Sequence, residues 1–394
     1  MLYFSFTMSP EALALLAGAL ACILATGLIY LFRTRTVIRA VGRARLPKSD
    51  DTGSREAVSV IVYSQDDAVN LEPLLLSLLS QEYSGPYEII VVNEGESSDV
   101  RDLVAMLRAS HSNLYLTSTP DGVRNLSRKK LGITLGVKAA RYDTVALTTT
   151  AVTIPSKHWL SALTRSFTPG GPIGVVLGFA AIDPGEDQAR GKRRRAFDFT
   201  AESCRWLAPA LAGKPFRGVE YNLAYRKDLF LKNSGFARSL NLHYGDDDIF
   251  ISEIARGDNT AVELAPESLV TLRGGNSPRI FRERMVRRCF TESFISRRPF
   301  FLASLTGWLQ LAALGCSVAA SALAWPNLAG AAAGLVLMLA VWTMDILVWR
   351  AAMRALGART LCLSIPWFSM TYPLRKVAYL VRSRLGKQRK YTWN

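Results

Sequence analysis

The residues of this chain that could carry chemistry are a few clusters of carboxylates and cations. Gly245-Asp-Asp-Asp-Ile-Phe250 sets three acids ahead of an apolar run. A carboxylate there can take a proton from a hydroxyl, and an Asp before Ile-Phe-Ile-Ser-Glu is equally a good helix N-cap. Arg284-Met-Val-Arg-Arg288 groups three guanidinium ions at helical spacing. Such groups bind phosphate oxygens in parallel pairs, or line an inner leaflet as a belt continuing to Arg297-Arg298. Lys129, near the start of a helical run, can bind an anionic group such as phosphate alongside the positive helix end; the other reading is a solvated basic face. The five cysteines are widely spaced without a C-x-x-C pair, and the three histidines have no metal-ligand spacing. Neither a disulfide framework nor a zinc site is expected.

The elements that must position these groups follow from hydrophobic patterning. Val58-Ser-Val-Ile-Val-Tyr63 reads as a buried strand, Leu71 to Ser80 as a helix, Tyr87-Glu-Ile-Ile-Val-Val-Asn93 as a second strand and Asp99 to Ser110 as another helix. Leu114 to Thr117, a helix around Lys129 to Arg141, and Thr144 to Thr148 continue the alternation. This pattern predicts a mostly parallel α/β sheet with crossovers on its faces. Ligands then bind at the carboxyl ends of the strands.

On either side lie apolar stretches. Ala12 to Phe32 runs 21 residues without a charge, long enough to cross a hydrocarbon core of roughly 30 Å. It is too long for a signal-peptide core and is followed by a strongly basic flank. Pro299 to Met344 gives 46 further uncharged residues, broken near Trp325-Pro326-Asn327, the length of a transmembrane hairpin. The positive-inside rule puts Arg33 to Lys48, Arg297-Arg298 and Arg350 to Lys390 on the cytoplasmic side. Leu361 to Tyr372 is too short to span and contains Pro366, so it reads as an interfacial or re-entrant piece before a basic amphipathic tail. Asp345, near the inner end of the third span, is expected to snorkel toward basic neighbours. The predicted organisation is 1–57 N-terminal helix and basic linker, 58–296 globular domain, 297–350 hairpin and 351–394 basic tail, in the cell (inner) membrane.

The net charge of +16 is accounted for by two segments. Arg33 to Lys48 holds six basic residues and Arg350 to the C-terminus ten, with no acid in either. Juxtamembrane charge fits anionic lipids as partners. It argues against a nucleic-acid partner, as does the lack of aromatic-basic interleaving in the globular part.

Val58-Ser-Val-Ile-Val-Tyr-Ser-Gln-Asp-Asp-Ala-Val-Asn-Leu71 followed by Tyr87-Glu-Ile-Ile-Val-Val-Asn-Glu-Gly-Glu-Ser-Ser-Asp99 resembles the opening of a family 2 glycosyltransferase. The resemblance implies a GT-A fold (Rossmann-like, mostly parallel sheet), here flanked by one N-terminal transmembrane helix and a C-terminal transmembrane hairpin. In that family an acid after the first strand and an acidic pair after the second hold the base and ribose of a nucleotide sugar. The matching positions are Asp67, then Asn93 and Glu94, with Asn93 neutral where the family has an aspartate. Lys129 to Asp143 is similar to the family's helix before the metal strand. Gly218 to Phe230, Gly235-Phe236 and Gly245 to Phe250 resemble its acceptor region, which makes Asp246 the implied catalytic base and Asp247 its alternate.

The family's Asp-x-Asp triplet holds magnesium or manganese on the donor diphosphate. Leu147-Thr-Thr-Thr-Ala-Val-Thr-Ile-Pro155 contains no acid. Alignment on Ile154-Pro155 puts the triplet at Thr150-Ala151-Val152, and counting from the strand puts it at Thr149 to Ala151. Hydroxyls are poor ligands for a hard cation compared with carboxylates, so no protein metal ligand is assigned. Arg287 matches the arginine of the family's Gln-x-x-Arg-Trp-type element, and Arg284 and Arg288 replace its amide and ring. These added charges are expected to stand in for the metal. The implied function is inverting sugar transfer from a nucleotide-diphosphate sugar to a lipid-linked or membrane-proximal glycan. The alternative is an inactive homologue serving as scaffold or partner subunit.

Overall fold

The computed structural model describes residues 8–45, 55–120, 126–182, 190–274, 277–295, 298–325, 327–358 and 362–385. Two compact units emerge, one of Met1–Arg39, Glu186–Ala208 and Arg297–Tyr379, the other of Ala40–Gly185, Pro209–Ser296 and Leu380–Asn394.

The second unit is built on β1 (Val58–Ser64), β2 (Tyr87–Asn93), β3 (Leu114–Ser118), β4 (Thr144–Thr149), β5 (Val152–Thr153), β6 (Val175–Leu177), β7 (Ala180–Ile182), β8 (Leu223–Arg226), β9 (Thr260–Val262) and β10 (Val270–Leu272). Seven of these form one sheet in the order β3-β2-β1-β4-β8-β6-β9, and β5-β10-β7 form a second. The block β3-β2-β1-β4 is parallel throughout, and β8 enters antiparallel between β4 and β6. Every residue of β1 is buried, as a strand covered on both faces must be. The expected α/β, mostly parallel architecture is therefore present. Asn222 ties the two sheets together: it accepts from Trp159 Nε1 at 3.0 Å and donates to Phe179 O and Ser268 O at 2.9 and 2.7 Å.

The crossover helices Ala68–Leu79, Ser98–Arg108 and Arg128–Ala139 return the chain between the parallel strands. The third lies close against the sheet because Gly136 lacks a side chain; a Cβ there would come within 2.8 Å of Ile61 Cγ2. Running antiparallel to the strands, it brings its first turn, with Lys129 and Lys130, to their carboxyl ends.

Among the described residues, three helices are long and apolar enough to cross a membrane: Pro10–Ala44, Ser304–Leu323 and Leu328–Ala355. The first is longer than the apolar run, because helix continues through a π-helical turn at Tyr30–Thr34 into the basic segment Arg35–Ala44. Asn327 caps the start of the last, accepting from Gly330 N at 3.1 Å. Pro326 and the basic residues beyond Leu385 lie outside the described residues. Of the stretch Leu361 to Tyr372, Leu361 lies outside the described residues, and Ile365 onward opens a 21-residue helix, Ile365–Leu385. Two of its cations meet carboxylates of the helix Arg190–Leu211 inside the same unit: Arg375 Nε donates to Asp198 Oδ2 at 2.9 Å, and Lys376 Nζ reaches Glu202 Oε2 at 3.3 Å.

Asp345 does not snorkel. It is 2% exposed, accepts from Tyr30 Oη at 2.9 Å and from Gln310, while Trp349 Nε1 donates to Tyr30 Oη at 2.9 Å and Ser369 Oγ to Gln310 Oε1 at 2.9 Å. A polar group among apolar helices must find partners or pay several kcal/mol, roughly, for desolvation; Tyr30 and Gln310, from two other helices, supply them, and Trp349 and Ser369 hold those two in place.

Candidate active site

A cleft of about 960 Å³ opens at the carboxyl ends of β1, β2 and β4, within the range of roughly 300–1,000 Å³ usual for ligand pockets. Of the residues singled out from the sequence, Asp67, Glu94, Lys129, Thr150, Asp246, Arg284 and Arg287 line it. Asn93, Asp247 and Arg288 do not.

At its centre is a network of opposed charges. Lys129 Nζ pairs with Asp246 Oδ2 at 2.8 Å and also with Glu220. Arg287 binds Glu220 with both terminal nitrogens, at 3.2 and 3.0 Å, and Asp246 Oδ1 at 2.5 Å. Its guanidinium also lies 5.3 Å from the Tyr244 ring centre. Burial alone would raise the Asp246 carboxyl, but the charges of Arg287 and Lys129 hold it well below the usual carboxylate range. Lys129 is lowered by burial against the pull of Asp246, and Arg287 is held more firmly protonated by the surrounding aspartates despite its burial.

The three consecutive aspartates divide their tasks. Gly245 turns the chain at φ +100°, where a Cβ would strike the Ile249 side chain. Asp246 then points to the cations. Asp247 is the N-cap of the helix Asp248–Ile254, accepting from Asp248 N at 2.8 Å. Asp248 turns inward to Arg217 Nε at 2.9 Å and accepts from Thr291 Oγ1 at 2.6 Å. Burial and the Asp247 charge push it up to about 6 against Arg217 and Arg288. Arg288 thus sits toward Asp248, behind the cleft.

The loops after β1 and β2 form the opposite wall. Asp67 caps the helix Ala68–Leu79 and receives Asn70 Nδ2 on both oxygens at 2.9 Å. Asn93 is 2% exposed; it donates to Asp66 Oδ1 at 2.7 Å and accepts from Asp66 N at 3.1 Å, so it shapes the loop from beneath. Glu94 is raised by burial, opposed by Arg128 and Lys129, and accepts from Tyr63 Oη and from Gln65 Nε2 at 3.2 Å.

Sequence reading missed four groups. Glu220, the carboxylate shared by Lys129 and Arg287, lay in plain view in Gly218-Val-Glu-Tyr, but an isolated acid gives no signal. Asp66 lines the cleft in a left-handed conformation at φ 50°. Lys130 is fully buried, donating to Ser239 O, Leu242 O and Tyr244 O at 2.5, 3.2 and 2.9 Å, and burial pushes it down to about 8. It secures the loop that delivers Asp246. The fourth is Arg273, on the cleft wall at the end of β10.

A divalent cation finds no suitable donors at the turn after β4. Thr150 and Ala151 separate β4 from β5, and the side chains at Thr149 to Val152 are hydroxyls and hydrocarbon. Among the described residues no group of three or more His, Cys, Asp or Glu is placed to hold a metal. The donor set does not fit the ion.

Solved structures resemble this chain. The mannosyltransferase PcManGT from Pyrobaculum calidifontis, in complex with GDP-Man and Mn2+, matches with a TM-score of 0.57 at 20% identity, covering 95% of this chain and 100% of that one. S. aureus TarS 1-349 matches with a TM-score of 0.40 at 14% identity, over 86% and 94% of the two chains. Glucosyl-3-phosphoglycerate synthase from Mycobacterium tuberculosis, in complex with Mn2+, UDP-Glc and phosphoglyceric acid, matches with a TM-score of 0.36 at 16% identity, over 59% and 79%. No protein-family model and no curated protein matches the sequence. The chain has the GT-A fold of glycosyltransferases.

Proposed function

We propose that this chain is a membrane-bound, inverting glycosyltransferase of the family 2 type that uses a nucleotide-diphosphate sugar without a divalent metal. Residues 58–296 are its catalytic domain, facing the cytoplasm from the cell (inner) membrane, and its acceptor is a lipid-linked or membrane-proximal glycan. One observation carries this reading: Asp246, Lys129 and Arg287 meet in a single cleft at the carboxyl ends of the sheet, a base beside two cations able to hold a diphosphate.

The acceptor hydroxyl attacks the anomeric carbon as the bond from that carbon to the diphosphate oxygen breaks, and its proton passes to Asp246. Lys129, Arg284 and Arg287 meet the charge growing on the leaving diphosphate, and Thr150 offers it a hydroxyl. Asp67 and Glu94 face the base and ribose. Before donor arrives, Asp246 is a weak base because two cations hold it. An incoming diphosphate competes for Lys129 and Arg287, and Asp246 regains basicity as they turn to phosphate.

The second reading, an inactive scaffold or partner subunit, is favoured by the turn without carboxylates and by the enclosed Asn93. Calorimetric titration of the full chain in detergent with a panel of nucleotide sugars separates the two, with GDP-mannose tried first because the mannosyltransferase above was solved with it. Binding of one sugar nucleotide, unchanged by EDTA, supports the transferase; silence across the panel supports the scaffold.

The loop held by Lys130 gives a further check. Lys130→Met removes the donor to Ser239, Leu242 and Tyr244, and displacement of Asp246 on the order of 1 Å is expected to slow transfer by roughly 10- to 100-fold. Nucleotide affinity should change far less, so a loss confined to affinity would count against this placement.

A further inference from the structure

We propose that Arg273, assisted by Arg284, is the phosphate-binding residue that takes over the divalent cation's task at the turn after β4. This rests on the transferase reading and names how the donor is held.

Arg273 is fixed to that turn. β10 runs antiparallel to β5 with Leu272 opposite Val152, so the next residue falls beside the turn. Arg273 N donates to Ala151 O at 2.9 Å and its Nε to Val152 O at 3.1 Å. Its Nη1 lies 3.4 Å from Asn70 Oδ1, and Asn70 is in turn held by Asp67. Backbone and side chain together place a guanidinium on the cleft wall at the segment where an Asp-x-Asp triplet would otherwise present carboxylates.

The charges around it favour phosphate as its partner. The cleft is lined by five carboxylates (Asp66, Asp67, Glu94, Glu220, Asp246) and five cations (Arg128, Lys129, Arg273, Arg284, Arg287). Lys129 and Arg287 are engaged by Glu220 and Asp246. Among the described residues, no carboxylate forms an ion pair with Arg273 or Arg284. Arg284 is 8% exposed, lies 5.5 Å from the Tyr221 ring centre, and has a buried Nη1 without a hydrogen-bond partner. A buried guanidinium nitrogen without an acceptor is costly unless a ligand supplies one. Two guanidinium groups carry the same charge as one divalent cation, and both would be wasted beside a triplet of acids. The absence of carboxylates at Thr149 to Val152 and the presence of Arg273 beside them therefore form one electrostatic arrangement.

The test is calorimetry on the full chain in detergent with EDTA, using GDP, UDP and inorganic pyrophosphate as probes. Arg273→Gln and Arg284→Gln are each expected to weaken binding by about 10- to 100-fold. Lys232→Gln removes the same charge from an exposed residue and should leave binding unchanged. Arg273→Lys keeps the charge and the stem but loses the planar fork; it covers the case in which the Gln variant fails to fold, and should still weaken binding several-fold. Wild-type affinity in both Arg273 variants would overturn the proposal while leaving the transferase reading standing. Absence of binding by the wild type to all three probes would overturn both.

Discussion

Asp246→Asn is expected to slow sugar transfer by roughly 100- to 10,000-fold, the usual weight of a positioned general base, while leaving nucleotide binding intact or tighter. The two halves of this result have one cause. In the resting cleft Asp246 is held by Lys129 and Arg287 at 2.8 and 2.5 Å, so the neutral amide removes the proton acceptor and frees two cations for diphosphate. Single-turnover transfer and calorimetry on the same preparation measure both. An unimpaired rate would remove Asp246 from the mechanism, and weaker nucleotide binding would mean that its charge supports the cleft instead of competing with the ligand. At limiting donor concentration, where the rate reports the free enzyme, wild type should also show no acid limb between pH 7 and 5 from this group, because in the resting cleft its carboxyl is held below the ordinary range and remains ionised there.

The second large effect is on stability. Arg217 is 1% exposed, pairs with Asp248 at 2.9 Å and donates to Arg288 O at 3.2 Å, so it joins the aspartate cluster to the helix Pro278–Thr291. Arg217→Met strands a buried carboxylate and is expected to cost about 3–5 kcal/mol, a fall in Tm on the order of 10 °C for a domain of this size. The deficit should depend on pH. Burial already raises Asp248 to about 6, so the folded state holds this proton more tightly than the unfolded state. Its stabilising contribution is complete below the ordinary carboxylate value and disappears as pH rises through the folded one. Without Arg217 the folded value rises further, and the variant should lose more stability at pH 8 than at pH 5. Thermal unfolding at the two pH values checks this; an equal deficit would mean that Asp248 is not stranded.

Much of the architecture was legible from local pattern alone. β-branched runs such as Val58 to Val62 and Ile89 to Val92, separated by helical stretches of crossover length, leave few arrangements other than a parallel sheet. Three apolar segments of membrane-crossing length need no tertiary information, because every backbone polar group in lipid must be satisfied within its own helix. Gly245-Asp-Asp-Asp was also visible as a cluster of possible function.

What each member of a cluster does was decided by contacts between distant segments. Asp246, Asp247 and Asp248 are neighbours in the chain, yet one meets Lys129 and Arg287, one caps a helix and one is buried on Arg217. Arg284, Arg287 and Arg288 share helical spacing, and only the packing of their helix turns the first two to the cleft and the third to Asp248. Asn93, matched from the sequence to a ligand-binding position, is enclosed by Asp66. Asp345 is satisfied by Tyr30, 315 residues away. Arg273 gave no signal because its importance lies in the strand pairing that sets it beside Ala151 and Val152. Secondary structure and membrane spans depend on interactions within a few residues and are therefore written into the sequence directly. Ion pairing and desolvation depend on which groups the fold brings within a few ångströms, and tertiary structure alone determines that.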